Sequence, residues 1–389
     1  MKHFKAIVWI SLLLMSLFFI ACGGGGSGSG GSDSGDTGTL SLGLTDASTD
    51  EYKAVYVTIS EVKVHRSETA DDDEGGWITV ATPEETYNLL ELVNGVIQQL
   101  GVTELESGTY TQMRLYLGLL DPDSDSEDVN MLGDTHPFPN YVIDEDDEYH
   151  ELKVPSGYQT GIKLTHEFEI VSGLTVDLVL DFDASASVVK AGKSGKTLLK
   201  PTIKITNTKN NAIIDGTVID DSLDPDYVEG ALVSAQYYEG AAPDDPIRFT
   251  ATQTLDGEYL MYLPPNTYNI VAYKSGFKPK CQNITTDFDQ VETIDFELST
   301  VTPVTVTVNV SGLPDEQPAT ISFRQVQNCE GPTEQVIEVK NLIVSNGEGY
   351  TVDLPEGEYT VVSSSDEMPT LSTNVIVEKG VDNTLIIDF

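Results

Sequence analysis

The feature that most constrains the fold of this chain is a two-residue alternation of apolar and polar side chains, which recurs in short runs from Thr39 onward. Successive side chains of a β-strand point to opposite faces, so such alternation predicts strands with one buried face. Gly, Pro, Asn or Asp bound runs of this kind at Thr39–Thr45, Ala54–Ser60, Tyr110–Leu117, Thr175–Phe182, Pro201–Thr206 and Val304–Val310. We therefore predict an all-β chain built from tandem antiparallel β-sandwiches.

One segment departs from this alternation. Thr82, Pro83 and Glu85 have the residue types of a helix N-cap, a first-turn proline and a capping-box glutamate. Apolar residues then follow at helical spacing, at Leu89, Val93, Val96 and Leu100. We expect at most one short helix here, and Thr86–Leu92 fits a strand equally well.

An internal repeat divides the chain. Residues 259–268 (YLMYLPPNTY) recur 91 residues later as residues 350–359 (YTVDLPEGEY), with a weaker copy at residues 105–110 (LESGTY). The leucine would end one strand in the core, and proline, which has no amide hydrogen, would stop the ladder. Gly or Asn would take the positive φ of a turn, and tyrosine would open the return strand with its ring buried and its hydroxyl bonded to backbone. We predict a hairpin in each of three related sandwiches.

The first 21 residues have the three parts of a secretory signal peptide. A basic start with Lys2 and Lys5 precedes an apolar run from Ala6 to Phe19, and the small residue Ala21 precedes Cys22. The run is short for a membrane-spanning helix, which needs about 20 apolar residues. We expect residues 1–21 to be removed; an uncleaved anchor helix is the alternative.

Residues 19–22 (FIAC) resemble the lipobox of bacterial lipoproteins. The resemblance implies cleavage before Cys22, diacylglycerol on its thiol and acylation of the freed amine. Residues 23–38 are almost all Gly and Ser, which is typical of a flexible tether spanning roughly 20–25 Å. Gly23, in place of Asp, favours the outer membrane by resemblance to known sorting signals. We predict an outer-membrane lipoprotein, on the periplasmic face or the cell surface.

The chain is strongly acidic, with 21 basic and 63 acidic residues and a formal net charge of −42. The signal peptide contains two of the lysines and no acidic residue, so the mature chain would be near −44. Such a surface repels nucleic acid and anionic headgroups, so we exclude nucleic-acid binding. Such a surface would attract divalent cations, but we favour the simpler explanation of a solvated surface suited to saline surroundings.

Two further thiols, Cys281 and Cys329, make an even pair in an exported protein, which suggests one disulfide. They lie in different predicted domains, so a bridge would hold those domains together. The sequence leaves the bond open, because it does not place their Cα atoms within the required distance of about 4.4–6.8 Å.

The first region resembles the bacterial lipoprotein family known as domain of unknown function 4382. The resemblance rests on residues 38–47 (GTLSLGLTDA), 52–62 (YKAVYVTISEV), 108–115 (GTYTQMRL), 155–163 (PSGYQTGIK), 181–183 (DFD) and 199–204 (LKPTIK). It implies an exported β domain without an established activity. We assign this domain to residues 39–207, after a signal peptide at residues 1–21 and a lipidated cysteine and linker at residues 22–38.

The second region, residues 211–298, resembles the carboxypeptidase regulatory-like (transthyretin-like) family. The matching segments are residues 214–218 (IDGTV), 230–233 (GALV), 256–259 (DGEY), 263–268 (LPPNTY) and 272–277 (AYKSGF). The resemblance implies a seven-stranded sandwich without catalytic residues. Residues 302–389 match only through the repeat and the final strands, so we predict a divergent transthyretin-like or Ig-like sandwich there.

Several motifs invite chemical interpretations. Acidic clusters lie at Asp71–Glu74, Asp121–Asp128 and Asp144–Glu148, but the middle one has Ser126 and Leu132 where an EF-hand needs Gly and Glu. Residues 191–197 (AGKSGKT) lack the first glycine of a phosphate loop, so we predict a hairpin bearing a small basic patch, a weak candidate contact for acidic glycan or lipopolysaccharide phosphate. His166 and Glu167 lie in an alternating strand, which favours a surface pair over an acid–base dyad.

No catalytic constellation, metal site or cofactor is predicted, and the oligomeric state stays open. There is no Gly-x-Ser-x-Gly motif, and the histidines show no ligand pairing at helical spacing. We expect a non-enzymatic binding or adhesion module, with glycan as the leading ligand. A structural partner of an envelope protein complex and a calcium-dependent adhesin are the alternatives.

The anchor prediction has a direct measurement. Mass spectrometry of the native amino terminus should find Cys22 as the first residue, carrying diacylglycerol and an amide-linked acyl chain. A bare Cys22 thiol on a freely soluble protein would contradict it.

Overall fold

The computed structural model describes residues 36–47, 49, 51–71, 74–118, 136–154, 160–191, 196–208, 211–238, 245–314, 317–330, 334–365 and 368–389. For Ala47, Lys190, Ala191, Lys196 and Glu348 only the backbone is described. Residues 36–389 form one compact unit. The signal peptide, Cys22 and most of the tether lie outside the described residues, so the anchor stays a prediction. Among described residues, no helix combines the length and apolar character needed to cross a bilayer.

The first region consists of strands with two short helical turns. Its strands are β1 (Thr37–Ala47), β2 (Ala54–His65), β3 (Ile78–Ala81), β4 (Glu85–Asn88), β5 (Gln98–Glu106), β6 (Gly108–Leu117), β7 (Asn140–Ile143), β8 (Tyr149–Lys153), β9 (Ile162–Ile170), β10 (Thr175–Asp183), β11 (Val188–Ala191), β12 (Lys196–Leu199) and β13 (Ile203–Asn207). The turns are a one-turn 3-10 helix, Leu89–Glu91, and α1 (Ala184–Ser187).

Two sheets of this region face each other across a core. One has the order β13-β10-β1-β5, with β10 parallel to β1. In the other, β2 lies between β6 and β9 on one side and β3 and β4 on the other. The alternating apolar residues of both sheets meet between them, including Leu42, Val57, Leu115 and Leu180, all fully buried. β1, the first predicted strand, begins at Thr37, two residues before the predicted start at Thr39.

In the described residues, the second and third regions consist of strands and their connecting loops. The second contains β14 (Ala212–Asp220), β15 (Leu232–Tyr238), β16 (Pro246–Gln253), β17 (Glu258–Leu263), β18 (Thr267–Tyr273), β19 (Lys280–Thr285), β20 (Val291–Thr293) and β21 (Phe296–Leu298). The third contains β22 (Val304–Ser311), β23 (Ala319–Gln327), β24 (Gln335–Val344), β25 (Gly347–Leu354), β26 (Gly357–Ser365), β27 (Leu371–Val377) and β28 (Thr384–Asp388).

All three regions share one topology. The smaller sheets contain β5-β1-β10, β17-β14-β20 and β25-β22-β28, and the larger ones contain β9-β6-β2, β19-β18-β15-β16 and β27-β26-β23-β24. In each smaller sheet the first strand pairs in parallel with a strand late in its region, namely β10, β20 and β28. The all-β sandwich prediction is confirmed; the parallel closing strand is a feature that the alternation did not indicate.

The predicted hairpin at the repeat is wrong, because its two strands belong to different sheets. β17 pairs with β14, whereas β18 pairs with β15 and β19. β25 and β26, and β5 and β6, are divided in the same way. The repeat is therefore a crossing from one sheet to the other.

A buried tyrosine stabilises each crossing. The hydroxyls of Tyr110, Tyr268 and Tyr359 donate to the carbonyls four residues upstream, of Glu106, Pro264 and Pro355, at 3.1, 3.1 and 3.0 Å. This is the geometry of the tyrosine corner of Ig-like sandwiches.

The predicted positive φ occurs in the first crossing, where Gly108 has a φ of +133°, but it is wrong for Asn266. The amide of Asn266 instead donates to Thr286 Oγ1 at 3.0 Å, and its carbonyl accepts from the Thr286 amide at 2.8 Å. A neighbouring strand end thus satisfies this turn without a left-handed residue.

The capping signals at residues 82–85 do not start a helix. Glu84 has a φ of +49°, and the next four residues form β4, which pairs with β2 and buries Tyr87 beside Val57. Only the 3-10 turn follows, and it has no side-chain cap. Pairing with a central strand outweighs local helix propensity here. The strand alternative for Thr86–Leu92 is therefore observed as far as Asn88, and Leu89–Glu91 form the one short helix of the segment.

Charged and disulfide-bonded residues join the regions. Arg248 on β16 donates to Glu338 on β24 and to Ser185 on α1, so one side chain contacts all three regions. The side chains of Arg248 and Glu338 are each only 9% exposed.

Cys281 on β19 and Cys329 beyond β23 form a disulfide in the structure, with Cα atoms 4.6 Å apart. Beside this bond, the Asn283 amide donates to the Cys329 carbonyl at 2.7 Å. The bond thus connects the second region to the third.

The tyrosine crossings predict a stability effect. Tyr359→Phe should lower the unfolding free energy by about 0.5–1.5 kcal/mol, because the buried Pro355 carbonyl loses its donor while the ring still fills the core. Denaturant unfolding followed by fluorescence would measure this change. Tyr227→Phe is the control, since Tyr227 is 60% exposed and should show no change. Equal stabilities of Tyr359→Phe and the wild type would refute the assignment.

Candidate functional site

A row of stacked aromatic side chains lies on the first region. Tyr56 on β2 and Tyr141 on β7 are cross-strand neighbours, with ring centroids 4.6 Å apart and planes 17° from parallel. The Tyr149 ring on β8 lies 5.8 Å from Tyr141, and the His136 ring lies 5.6 Å from Tyr56. We call these four residues the aromatic row.

Strand alternation explains why the row is on the outer face. Val55 and Val57 point into the core, so Tyr56 between them points away from it. The β7–β8 hairpin lies between β6 and β9 in the sequence. Its first strand, β7, pairs with β2, so that Tyr141 lies beside Tyr56. Tyr149 is opposite Ile143, two residues from Tyr141 on the same face, and is 56% exposed.

Burial stabilises the neutral form of two tyrosines of the row, Tyr56 and Tyr141. Burial raises the pKa of Tyr141 to about 12, with smaller contributions from Tyr56 and Tyr149. Burial also raises the pKa of Tyr56, helped by the negative charge of Glu91. The Tyr141 hydroxyl and His136 Nδ1 are hydrogen-bonded at 2.8 Å, which orients both groups.

Polar groups border the row. Asn88 on β4 is opposite Tyr56, and its side-chain amide donates to Glu91 Oε1 at 3.0 Å. Glu151 on β8 is opposite Tyr141. Flat apolar rings beside carboxylate and amide groups suit a ligand with one apolar face and many hydroxyls, as a pyranose has.

The third predicted acidic cluster forms a turn between β7 and β8. Ligand atoms of Asp144, Glu148 and His150 lie within 4.8 Å of one another. Asp144 Oδ1 accepts from the amides of Asp146 and Glu148 at 2.9 Å each, and Asp144 Oδ2 is 2.6 Å from His150 Nε2. The His150 bond, followed by the Glu148 amide, lowers the pKa of Asp144. Hydrogen bonds of the turn therefore account for the position of this carboxylate.

Other predicted motifs are only partly described. Residues 121–128, 72–73 and 192–195 lie outside the described residues. The strands flanking the last of these, β11 and β12, pair as the expected hairpin. His166 is half-buried on β9, and burial lowers its pKa, while Glu167 is exposed.

Two buried carboxylates line a small cavity between the first and second regions. Asp46 and Asp181 border this space of about 40 Å³, together with Thr45, Thr250 and Thr252. Asp181 Oδ2 accepts from Thr250 Oγ1 at 2.7 Å, and Asp46 Oδ1 accepts from the Ala184 amide at 3.0 Å. Burial raises the pKa of Asp181 to about 6, although the Thr250 hydrogen bond opposes it; burial also raises the pKa of Asp46.

The sequence analysis missed both groups of residues. An outward tyrosine between two core valines was the available signal for the aromatic row. For Asp46 the signal was its core-facing register, since it continues the series Leu40, Leu42 and Leu44. Tyr141, His136 and Tyr149 gave no such signal, because the pairing of an inserted hairpin brings them together.

Residues 37–201 match the model of a protein family described as domain of unknown function DUF4382. The match confirms the predicted resemblance of the first region and includes the aromatic row. The carboxypeptidase regulatory-like resemblance of the second region stays a prediction. A comparison with curated proteins finds no match.

Comparison with solved structures finds matches of low similarity. The Bacillus anthracis TIE protein is 11% identical over 91% of this chain, with a TM-score of 0.20, and this chain spans 50% of its length. A streptococcal ancillary pilin is 11% identical over 91% of this chain and 99% of its own, with a TM-score of 0.19. The shaft pilin SpaA of Lactobacillus rhamnosus GG is 11% identical over 46% of this chain and 96% of its own, with a TM-score of 0.19. At these scores the likenesses carry no argument about function.

Asp181 predicts a pH-dependent stability. Its folded pKa lies above the unfolded value, so its stabilisation is complete below about pH 4 and is lost as the pH rises through about 6. Asp181→Asn removes this titration. The stability of the variant relative to the wild type should therefore rise by on the order of 2–3 kcal/mol between pH 4 and pH 8. Denaturant unfolding at both pH values would measure it.

The exposed Asp224→Asn is the matched control and should show no such rise. A constant difference between Asp181→Asn and the wild type would contradict the assignment.

Proposed function

We propose that this protein is an outer-membrane lipoprotein, anchored through Cys22, whose folded unit binds carbohydrate without catalysis. The observation that carries the proposal is the aromatic row, a set of neighbouring aromatic rings on an outward sheet face bordered by Asn88, Glu91 and Glu151. Envelope glycan is the proposed partner, and an envelope protein is the alternative one.

The geometry of the row supports a stacked sugar. Aromatic rings present large, rigid apolar faces at low conformational cost, and their π-faces are partially negative, which attracts the C–H groups of a pyranose. Tyr149 is more than half exposed, so one ring can still be covered by a ligand. Tyr141, between the other two tyrosines and nearly fully buried, fixes their relative position.

The charge of the chain narrows the ligand class. With a net charge of −42 and carboxylates beside the row, the surface repels polyanions. Hydroxyl groups of a neutral sugar can instead donate to Glu91 or Glu151. We therefore propose a neutral oligosaccharide as the ligand.

A glycan array probed with the fluorescently labelled unit Asp36–Phe389 tests this function. The wild type should bind a set of neutral oligosaccharides, and Tyr149→Ala should lose about two- to tenfold in affinity, because removing an aromatic stacking contact costs about 0.5–1.5 kcal/mol. Tyr227→Ala is the matched control, because Tyr227 is a similarly exposed tyrosine of the second region.

Two results would argue for other functions, and a third would argue for another sugar-binding site. Silence on the array together with specific capture of envelope proteins would support the structural-partner alternative. Binding that disappears in EDTA would support the calcium-dependent adhesin. Sugar binding unaffected by Tyr149→Ala would exclude the aromatic row as the site.

A further inference from the structure

The unpaired edge of β27 differs from the equivalent edges of the other two regions. β9, β19 and β27 occupy the same place in the shared topology, at the end of each larger sheet. β9 contains Lys163, Glu167 and Glu169, and such charges discourage pairing with a further strand. β19 is covered from outside, because the Asn283 amide donates to the Cys329 carbonyl of the third region.

β27 has neither form of protection. It pairs with β26 on one side only, and no described residue bonds to its other side. Its seven residues, LSTNVIV, contain no charge and no proline, and four of its side chains are exposed. Among the described edge strands of five or more residues, β27 is the only one without a charged residue. An exposed β-rich edge of this kind is a template for another strand.

We propose that β27 pairs with β27 of a second copy of this chain, so that two larger sheets continue across a two-fold axis. The charge distribution favours this occupant. Copies that carry a net charge of −42 repel each other over most of their surface, whereas β27 lets two backbones approach with no charge in either paired strand.

The sequence of β27 is also self-complementary in an antiparallel register centred on Asn374. In this register Leu371 lies opposite Val377, and Thr373 opposite Val375, on the face that packs on the core. Ser372 lies opposite the exposed Ile376 on the other face. A contact that uses the same strand on both copies closes as a dimer and does not continue into a filament.

Sedimentation velocity of the unit Asp36–Phe389 over a range of concentrations tests the proposal. The wild type should form a dimer, and more of it at about 1 M than at about 0.15 M NaCl, because the Debye length shortens from about 8 to 3 Å and screens the repulsion between copies. Asn374→Lys places two like charges together at the axis and should abolish the dimer. Thr165→Lys, an exposed threonine of β9, is the matched control and should leave it intact.

Hydrogen exchange gives an independent measure of the same contact. Protection of the β27 amides should rise with protein concentration, while that of β9 stays constant. A wild type that stays monomeric at both salt concentrations overturns the proposal. So does a dimer that persists in Asn374→Lys without added protection of β27. Neither result bears on sugar binding by the aromatic row.

Discussion

The structure depends on moving the chain between two sheets without leaving backbone groups unpaired in the core. A strand that leaves one ladder for another has carbonyls that neither ladder can satisfy, and a buried unpaired carbonyl costs about 1–3 kcal/mol. In all three regions a tyrosine hydroxyl supplies the missing donor four residues downstream of the carbonyl. Its ring fills the adjacent core, so one residue satisfies the crossing and packs it. The strand that follows enters the middle of the larger sheet, and the positions of the edge strands follow from that.

A second constraint acts between the regions. Arg248 and Glu338 are almost fully buried, and a charge in such a place is costly unless its partners are complete. Burial alone would raise the pKa of Glu338, but Arg248, Ser322 and Arg324 outweigh it, so the pKa falls below its usual value. The backbone of Glu338 is held as well, since Gln236 donates to its carbonyl at 2.7 Å and accepts from its amide at 2.8 Å. Together with the Cys281–Cys329 disulfide, these bonds restrain the second and third regions as one body.

The parts of the fold that period-two alternation controls could be predicted from sequence, and the parts set by distant pairing could not. Thr39–Thr45 and Val304–Val310 are strands because their side chains alternate, whatever lies beside them. The crossing at Leu354–Tyr359 has the residues of a hairpin, and only the neighbours of β25 and β26 reveal a change of sheet. Residues 82–85 show the converse, since a strong local helix signal yields to pairing with β2. For the candidate site, Tyr56 could be placed outward, but its stacking on Tyr141 depends on an inserted hairpin whose register no local pattern encodes.

The aromatic row and the β27 edge belong to one hydrogen-bonded sheet, and this connection gives the two proposals a common consequence. The order β27-β26-β23-β24-β11-β12-β8-β7-β2 runs without a break from the edge to the row, with the β11–β24 link made at Lys190 and Val344. Stacking on a shallow, open surface gives a weak site, because little of the ligand is buried and its hydroxyls stay solvated. Pairing through β27 would fix two such rows on one continuous sheet, and lipid anchors would confine both copies to the same membrane. A glycan polymer engaging both rows would then bind the second one intramolecularly, which can raise avidity by about 10²–10⁴ without any new contact. If both proposals hold, weak individual sites on a dimeric, anchored protein would be sufficient for adhesion to a repetitive polymer and would be of little use for capturing a free monosaccharide.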